Sequence, residues 1–167
     1  MKKYCNILLY ILIISFTFSS CSSGEEAPGG GDQDQPGDTS SATIWRGSKI
    51  TFTKADGADH TQAANQDRLT SNVWITRADN YQIFNIVKES VANQGTSPVG
   101  TTWAIGDIND IDNLTFRSFR PAVGKPKNVV GKNLVMHLTE DNIYLSVKFT
   151  SWSRNKRGGF AYERSQP

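Results

Sequence analysis

Cysteine is nearly missing: of 167 residues only Cys5 and Cys21 carry a thiol, and none follows position 21. A disulfide-stapled scaffold is thereby excluded for everything downstream. Histidine is as scarce, at His60 and His137 alone, so a conventional zinc site, which needs three or four nitrogen or sulfur ligands, cannot be assembled. His137, between Met136 and Leu138, reads as a strand residue, and His60 as a solvated loop residue. No apolar run reaches the roughly 18 residues that span a bilayer. The longest, Ile7 to Phe18, covers about 18 Å of helix against a hydrocarbon core of roughly 30 Å. There is no G-x-S-x-G turn, which removes the nucleophile-elbow hydrolases, and no repeat of fixed period. Nor is there a large excess of one charge, with 18 basic and 16 acidic residues. What remains is an ordinary soluble composition, 37% hydrophobic and 20% charged, with length for one core and not two.

The first 20 residues have the layout of a signal peptide: Lys2 and Lys3, the apolar run, then Ser19 and Ser20 before Cys21. Together Phe18-Ser19-Ser20-Cys21 resembles the lipobox of bacterial lipoproteins, with Phe18 where leucine is usual. That resemblance implies cleavage before Cys21 and diacylglycerol on its thiol, so that Cys21 becomes a membrane anchor; two or three acyl chains hold durably. The plain secretory alternative would leave Cys21 as an unpaired thiol outside the cell. The following Ser22-Ser23-Gly24-Glu25-Glu26 resembles the surface-export signal of Bacteroidota lipoproteins, which implies an outer membrane lipoprotein on the cell surface. Residues 21–42 hold five acids, no base and no large apolar side chain, so they read as a flexible linker with a reach of roughly 25 Å.

Loss of Lys2 and Lys3 brings 18 basic residues to 16, equal to the 16 acids. Because five acids lie in the linker, the domain is mildly basic. Its cations are scattered through Arg46, Lys49, Arg77, Arg117, Lys125, Lys132 and Arg154, which argues against a nucleic acid partner. From Thr43 the language is that of strands: Ile44 to Thr53, Leu69 to Thr76, Tyr81 to Val87, Thr101 to Ile105, Leu114 to Phe119, Asn133 to Leu138, Ile143 to Trp152 and Gly159 to Arg164. Turn residues separate them at Ala78-Asp79-Asn80, Glu140-Asp141-Asn142 and Arg154 to Gly158. Helix is expected only over Ala63–Arg68 and Ile86–Ala92. Eight short strands without β-α-β alternation predict an all-β domain over 43–167, an antiparallel β-sandwich or jelly-roll-like barrel.

Several blocks stand out as a set: Trp45-x-Gly47-x-x-Ile50-Thr51-Phe52-Thr53-Lys54, Asn65 to Arg68 leading to Asn72 to Arg77, Val129 to Leu134, and Val147 to Trp152 closing on Gly159 to Arg164. Together they resemble an uncharacterised β-rich module of secreted and surface proteins of marine and gut bacteria. The resemblance supports the fold class and the extracellular setting, and carries no activity.

For chemistry, the densest acids are Asp107, Asn109, Asp110 and Asp112, an oxygen-rich stretch that suits calcium, although its register is not that of an EF-hand. Asp56, Asp59, Asn65 and Asp67 form a second candidate loop; the alternative for both is that the acids cap turns. On paper Asp56, Asp67, Glu140 and Glu163 could serve glycosidase chemistry, which asks only for two spaced carboxylates. Aromatics give the better lead. Trp45, Trp74, Trp103, Trp152, Tyr81, Tyr144 and Tyr162 supply flat apolar faces, on which sugars stack. Trp74 and Trp152 read as core, whereas Trp45, Tyr144 and Tyr162 are expected on the outside. Strict alternation sends Leu145, Val147 and Phe149 inward and Tyr144, Ser146 and Lys148 outward, with Tyr162 and Arg164 of the partner strand on that same outer face. The rival arrangement buries this face beneath the loop Arg120–Asn128. Three functions stay open: a tethered module binding a glycan or extracellular polymer, an accessory lipoprotein contacting another envelope protein, and a small hydrolase.

Overall fold

The computed structural model describes residues 41–167, so the expected signal segment, Cys21 and nearly all of the expected linker lie outside the described residues. The described domain is all-β, with strands in antiparallel sheets and few helices. Nine strands form: β1 (Thr43–Trp45), β2 (Lys49–Lys54), β3 (Asp67–Arg68), β4 (Trp74–Thr76), β5 (Phe84–Asn85), β6 (Thr101–Ile105), β7 (Asn133–Leu138), β8 (Ile143–Trp152) and β9 (Phe160–Ser165). One five-residue helix, α1 (Phe119–Val123), and three short 3-10 turns complete the set.

The large sheet runs β2-β9-β8-β7-β6. Strand β8 is its spine because its alternation of Leu145, Val147 and Phe149 with polar residues gives one face to bury. One side of β8 pairs with β7 through a tight hairpin in which Asn142 takes a φ of 49°, a conformation asparagine tolerates. The other side is divided: β1 pairs in parallel with Ile143 to Leu145, and β9 takes over from Val147. A bulge between Phe149 and Ser151 opposes two residues of β8 to one of β9 and brings Trp152 into register with Phe160. Without that extra residue the indole would point to the opposite face.

The small sheet, β3-β4-β5, closes over the large one in a sandwich-like arrangement. Val73, Ile75 and Ile83 join Trp103, Leu134, Met136, Leu145, Val147, Phe149, Phe160 and Tyr162 in a single core. A second, smaller cluster lies on the other face of the large sheet, where Tyr144 and Val135 are covered by Ile111, Ile44, Ile108, Leu114 and Phe116.

Several expected elements are shorter or different. The strand expected over Leu69–Thr76 narrows to β4, because Thr70 and Asn72 spend their side chains on Asp141 of the β7–β8 hairpin. That over Tyr81–Val87 narrows to β5. Leu114–Phe119 makes only one bridge, Arg117 to Trp103, before turning into α1. The helix expected over Ala63–Arg68 is a single 3-10 turn, Ala63–Asn65, followed by β3. No helix forms over 86–92. There Glu89 accepts from the backbone N–H of Asn85 and Val99 and from the Ser97 hydroxyl, while Asn85 caps Val87, so side chains hold the loop in place of a helical ladder.

Candidate functional site

Each residue expected to form an outer binding face can be placed. Trp45, Tyr144, Tyr162 and Arg164 are buried, at 7%, 6%, 0% and 7% exposure. Register explains the reversal for the last two: Tyr162 pairs with Phe149 and Arg164 with Val147, so both stand on the core face, opposite to Tyr144. Tyr144 is covered by the Ile108–Asn113 turn and β1 rather than by the loop Arg120–Asn128, whose Val123 sits in the core with Val129 and Tyr162. Its ring stacks on His137 at 4.1 Å with planes 3° apart. Burial pushes the Tyr144 hydroxyl up, with the charge of Asp112 adding to it. The exposed two-tyrosine face is therefore replaced by two separate buried ones. Lys148 is half-buried and lines a shallow pocket with Lys49, Asp107 and Ser146.

Arg164 and Tyr162 instead build a buried staple on Asp67. Arg164 donates through Nε and Nη2 to the two carboxylate oxygens at 2.7 and 2.9 Å, and the Tyr162 hydroxyl donates to one of them at 2.7 Å. Burial drives the Tyr162 hydroxyl well above its ordinary range, and the adjacent Asp67 charge reinforces this. For Arg164, burial works against the charge, yet the Asp67 bonds prevail and hold it up.

The acid-rich loops are organised around turns. Asp107 caps the turn that follows by accepting from the Asn109 backbone N–H and side chain, and the Asn109 side-chain oxygen accepts from Arg46; Asp110 and Asp112 lie exposed on that turn. In the other loop Asp59 accepts from Thr61 and Gln62, Asp56 faces Arg157, and Asp67 turns inward to Arg164. Among the described residues no three His, Cys, Asp or Glu side chains converge.

A different constellation, missed by pattern reading, lies at the end of the sandwich where the bulge delivers Trp152. Tyr81, Trp152, Arg120, Lys125, Pro126 and Lys127 line an open cleft of about 340 Å³. Tyr81 is 57% exposed and has a φ of 68°, a left-handed conformation that costs a bulky residue energy. Arg77 ties the two together. Its guanidinium sits 4.0 Å over the Trp152 ring, while Nε donates to the Tyr81 carbonyl and Nη1 to the carbonyls of Ser153 and Gly159. One buried cation thus fixes the strained backbone of one aromatic and the ring of the other. Burial lowers the Arg77 pKa to about 10, against the pull of Asp56 and Asp79. Lys54, also buried, donates to the Gly158 carbonyl at 3.4 Å, and burial lowers its pKa as well.

The basic wall has its own logic. In the run from Phe119 to Val129, Phe119, Val123, Pro126 and Val129 are buried, and the cations fall between these anchors, Arg120 half-buried and Lys125 and Lys127 exposed. Gly124, at φ 79°, makes the turn from α1 into the next short element, and Lys132 donates to the Val123 carbonyl at 3.1 Å. None of the carboxylates offered for hydrolysis, Asp56, Asp67, Glu140 or Glu163, lines this cleft. Glu140 pairs with Lys88 and Asp67 with Arg164.

No family model matches the chain, and neither the comparison with curated proteins nor that with solved structures returned a match. No described helix is long and apolar enough to cross a membrane.

Proposed function

We propose that this chain is an outer membrane lipoprotein, anchored through Cys21 and surface-exposed, whose β domain is a binding module for a glycan or extracellular polymer. The binding place is the Tyr81–Trp152 cleft. The observation that carries this reading is the exposed Tyr81 ring, held in a costly backbone conformation by Arg77, which also stacks on Trp152. Strain kept at an exposed aromatic points to use of that side chain, and the open face of Tyr81, in a cleft walled by the Arg77-covered Trp152 ring, suits the stacking of a sugar ring. At about 340 Å³ the cleft sits at the lower end of the ~300–1,000 Å³ range of small-ligand sites. It therefore takes a short stretch of a polymer.

Binding of the full chain to a polysaccharide panel tests the module. Retention should fall about tenfold or more on Tyr81→Gly while the melting curve keeps its shape; retention that ignores the substitution would remove the cleft from the function. Anchoring has its own assay, in which Cys21→Ser moves the protein from the detergent-extracted membrane fraction to the soluble fraction. A protein partner, the second reading, draws on the exposed Val87, Val91 and Val99 of the loop between β5 and β6. It predicts cross-linking to an envelope protein through that loop, independent of Tyr81.

A further inference from the structure

We infer that the Tyr81–Trp152 cleft takes an acidic glycan, with the exposed Tyr81 ring stacking on a sugar face, Trp152 forming an apolar wall beneath Arg77, and Arg120, Lys125 and Lys127 pairing with its carboxylate or sulfate groups. The inference rests on the glycan reading above and adds the charge class of the ligand.

Three cations and no carboxylate line the cleft. Among the described residues, salt bridges engage Lys88, Arg157 and Arg164, and none of the three lining cations forms one. Like charges gathered on one short run repel one another, and a ligand bearing anions relieves that repulsion while neutral sugar does not. The arrangement is built rather than incidental, since four buried anchors between Phe119 and Val129 post the cations outward. The types also divide the work: the planar guanidinium of Arg120 matches a carboxylate or sulfate through two parallel donors, whereas the lysines act as mobile point charges at the rim. Other cations among the described residues also stand outside salt bridges, Lys88, Arg157 and Arg164 excepted; what sets Arg120, Lys125 and Lys127 apart is that they line one cleft beside an exposed aromatic ring with no carboxylate among them.

Cation and aromatic together decide between ligands. A neutral polysaccharide would use Tyr81 and Trp152 and leave three charges idle. A polyanion held by charge alone would need no strained tyrosine. Single-stranded nucleic acid also stacks on aromatics and pairs with cations, but it is usually tracked by a continuous groove of about four or more nucleotides. This cleft is short, and the remaining cations of the domain are dispersed.

The test compares charged and neutral forms of the same backbone, using the full chain in a nonionic detergent at near-physiological salt. Polygalacturonate is set against its methyl ester, dextran sulfate against dextran, and oligothymidylate is a separate arm. The expected result is binding to at least one charged form about tenfold or more tighter than to its neutral counterpart. The stronger of the two charged polymers identifies carboxylate or sulfate. That preference should collapse in Lys125→Gln/Lys127→Gln, both exposed positions, and affinity itself should fall about tenfold in Tyr81→Gly. Equal binding of neutral and charged forms that is lost on Tyr81→Gly would overturn the acidic class and leave the glycan reading standing. Binding of none of the glycans would overturn both. Charge-dependent binding that survives Tyr81→Gly, or tighter binding of oligothymidylate than of any glycan, would also overturn the inference.

Discussion

Tyr81 combines a bulky aromatic side chain at φ 68° with an exposure of 57%. The backbone cost is about 1–2 kcal/mol for a non-glycine residue in this region, and little burial is available to offset it. Tyr81→Gly is therefore expected to raise stability by roughly 1 kcal/mol, read as a higher denaturant midpoint, while it weakens cleft binding about tenfold or more. A loss of stability would show that the ring packs where it is taken to be displayed. His137 offers a second measurement at this scale. Burial lowers its pKa, a bond to Asn142 opposing, so the unfolded chain protonates first as pH falls through its ordinary value of about 6.5. With more protons bound when unfolded, stability rises with pH from below the lowered value up to the ordinary one and is level above it. In His137→Gln, the slope of melting temperature between about pH 5 and pH 7 should be smaller than in the parent.

At the scale of elements, the loop between β8 and β9 organises the cleft. The bulge at Phe149/Ser151 re-aims Trp152, and the loop then returns through Asn155 and Lys156 at φ 58° and Gly158 at φ 72°. A Cβ on Gly158 would lie 3.0 Å from the Ala78 carbonyl oxygen and from the Asp79 Cα, so two loops meet there with only glycine between them. Gly158→Ala should cost about 1–3 kcal/mol through strain and displaced backbone, and should weaken ligand binding as well, since Arg77 holds Ser153 and Gly159 of this same loop. The strands β7 and β8 match the expected ranges Asn133–Leu138 and Ile143–Trp152 residue for residue, because alternation and a tight hairpin are local properties. The side on which Tyr162 stands could not be read that way. It depends on cross-strand register, and the bulge shifts that register within the hairpin itself.

For the whole molecule, one ionic staple joins the two sheets: Asp67 of β3 holds Arg164 and Tyr162 of β9. Asp67→Ala leaves a buried guanidinium without its partner and should cost about 3–5 kcal/mol. Tyr162→Phe removes one hydrogen bond and leaves the ring, and should cost about 1–2 kcal/mol. Near-equal losses in denaturant titrations would show that the ion pair is not what binds the sheets together. Asp67, Arg164, Arg77 and Tyr81 are separated in the chain, and nothing in their neighbours marks them as partners. Composition and period alone determined the all-β class, the spine hairpin and the location of its core-facing residues, because hydrophobic alternation is encoded within a few residues. Only the tertiary structure decided which aromatics are wet. Burial of Trp45, Tyr144 and Tyr162 and exposure of Tyr81 follow from which segment lies over each face, and that depends on contacts between residues far apart in the chain.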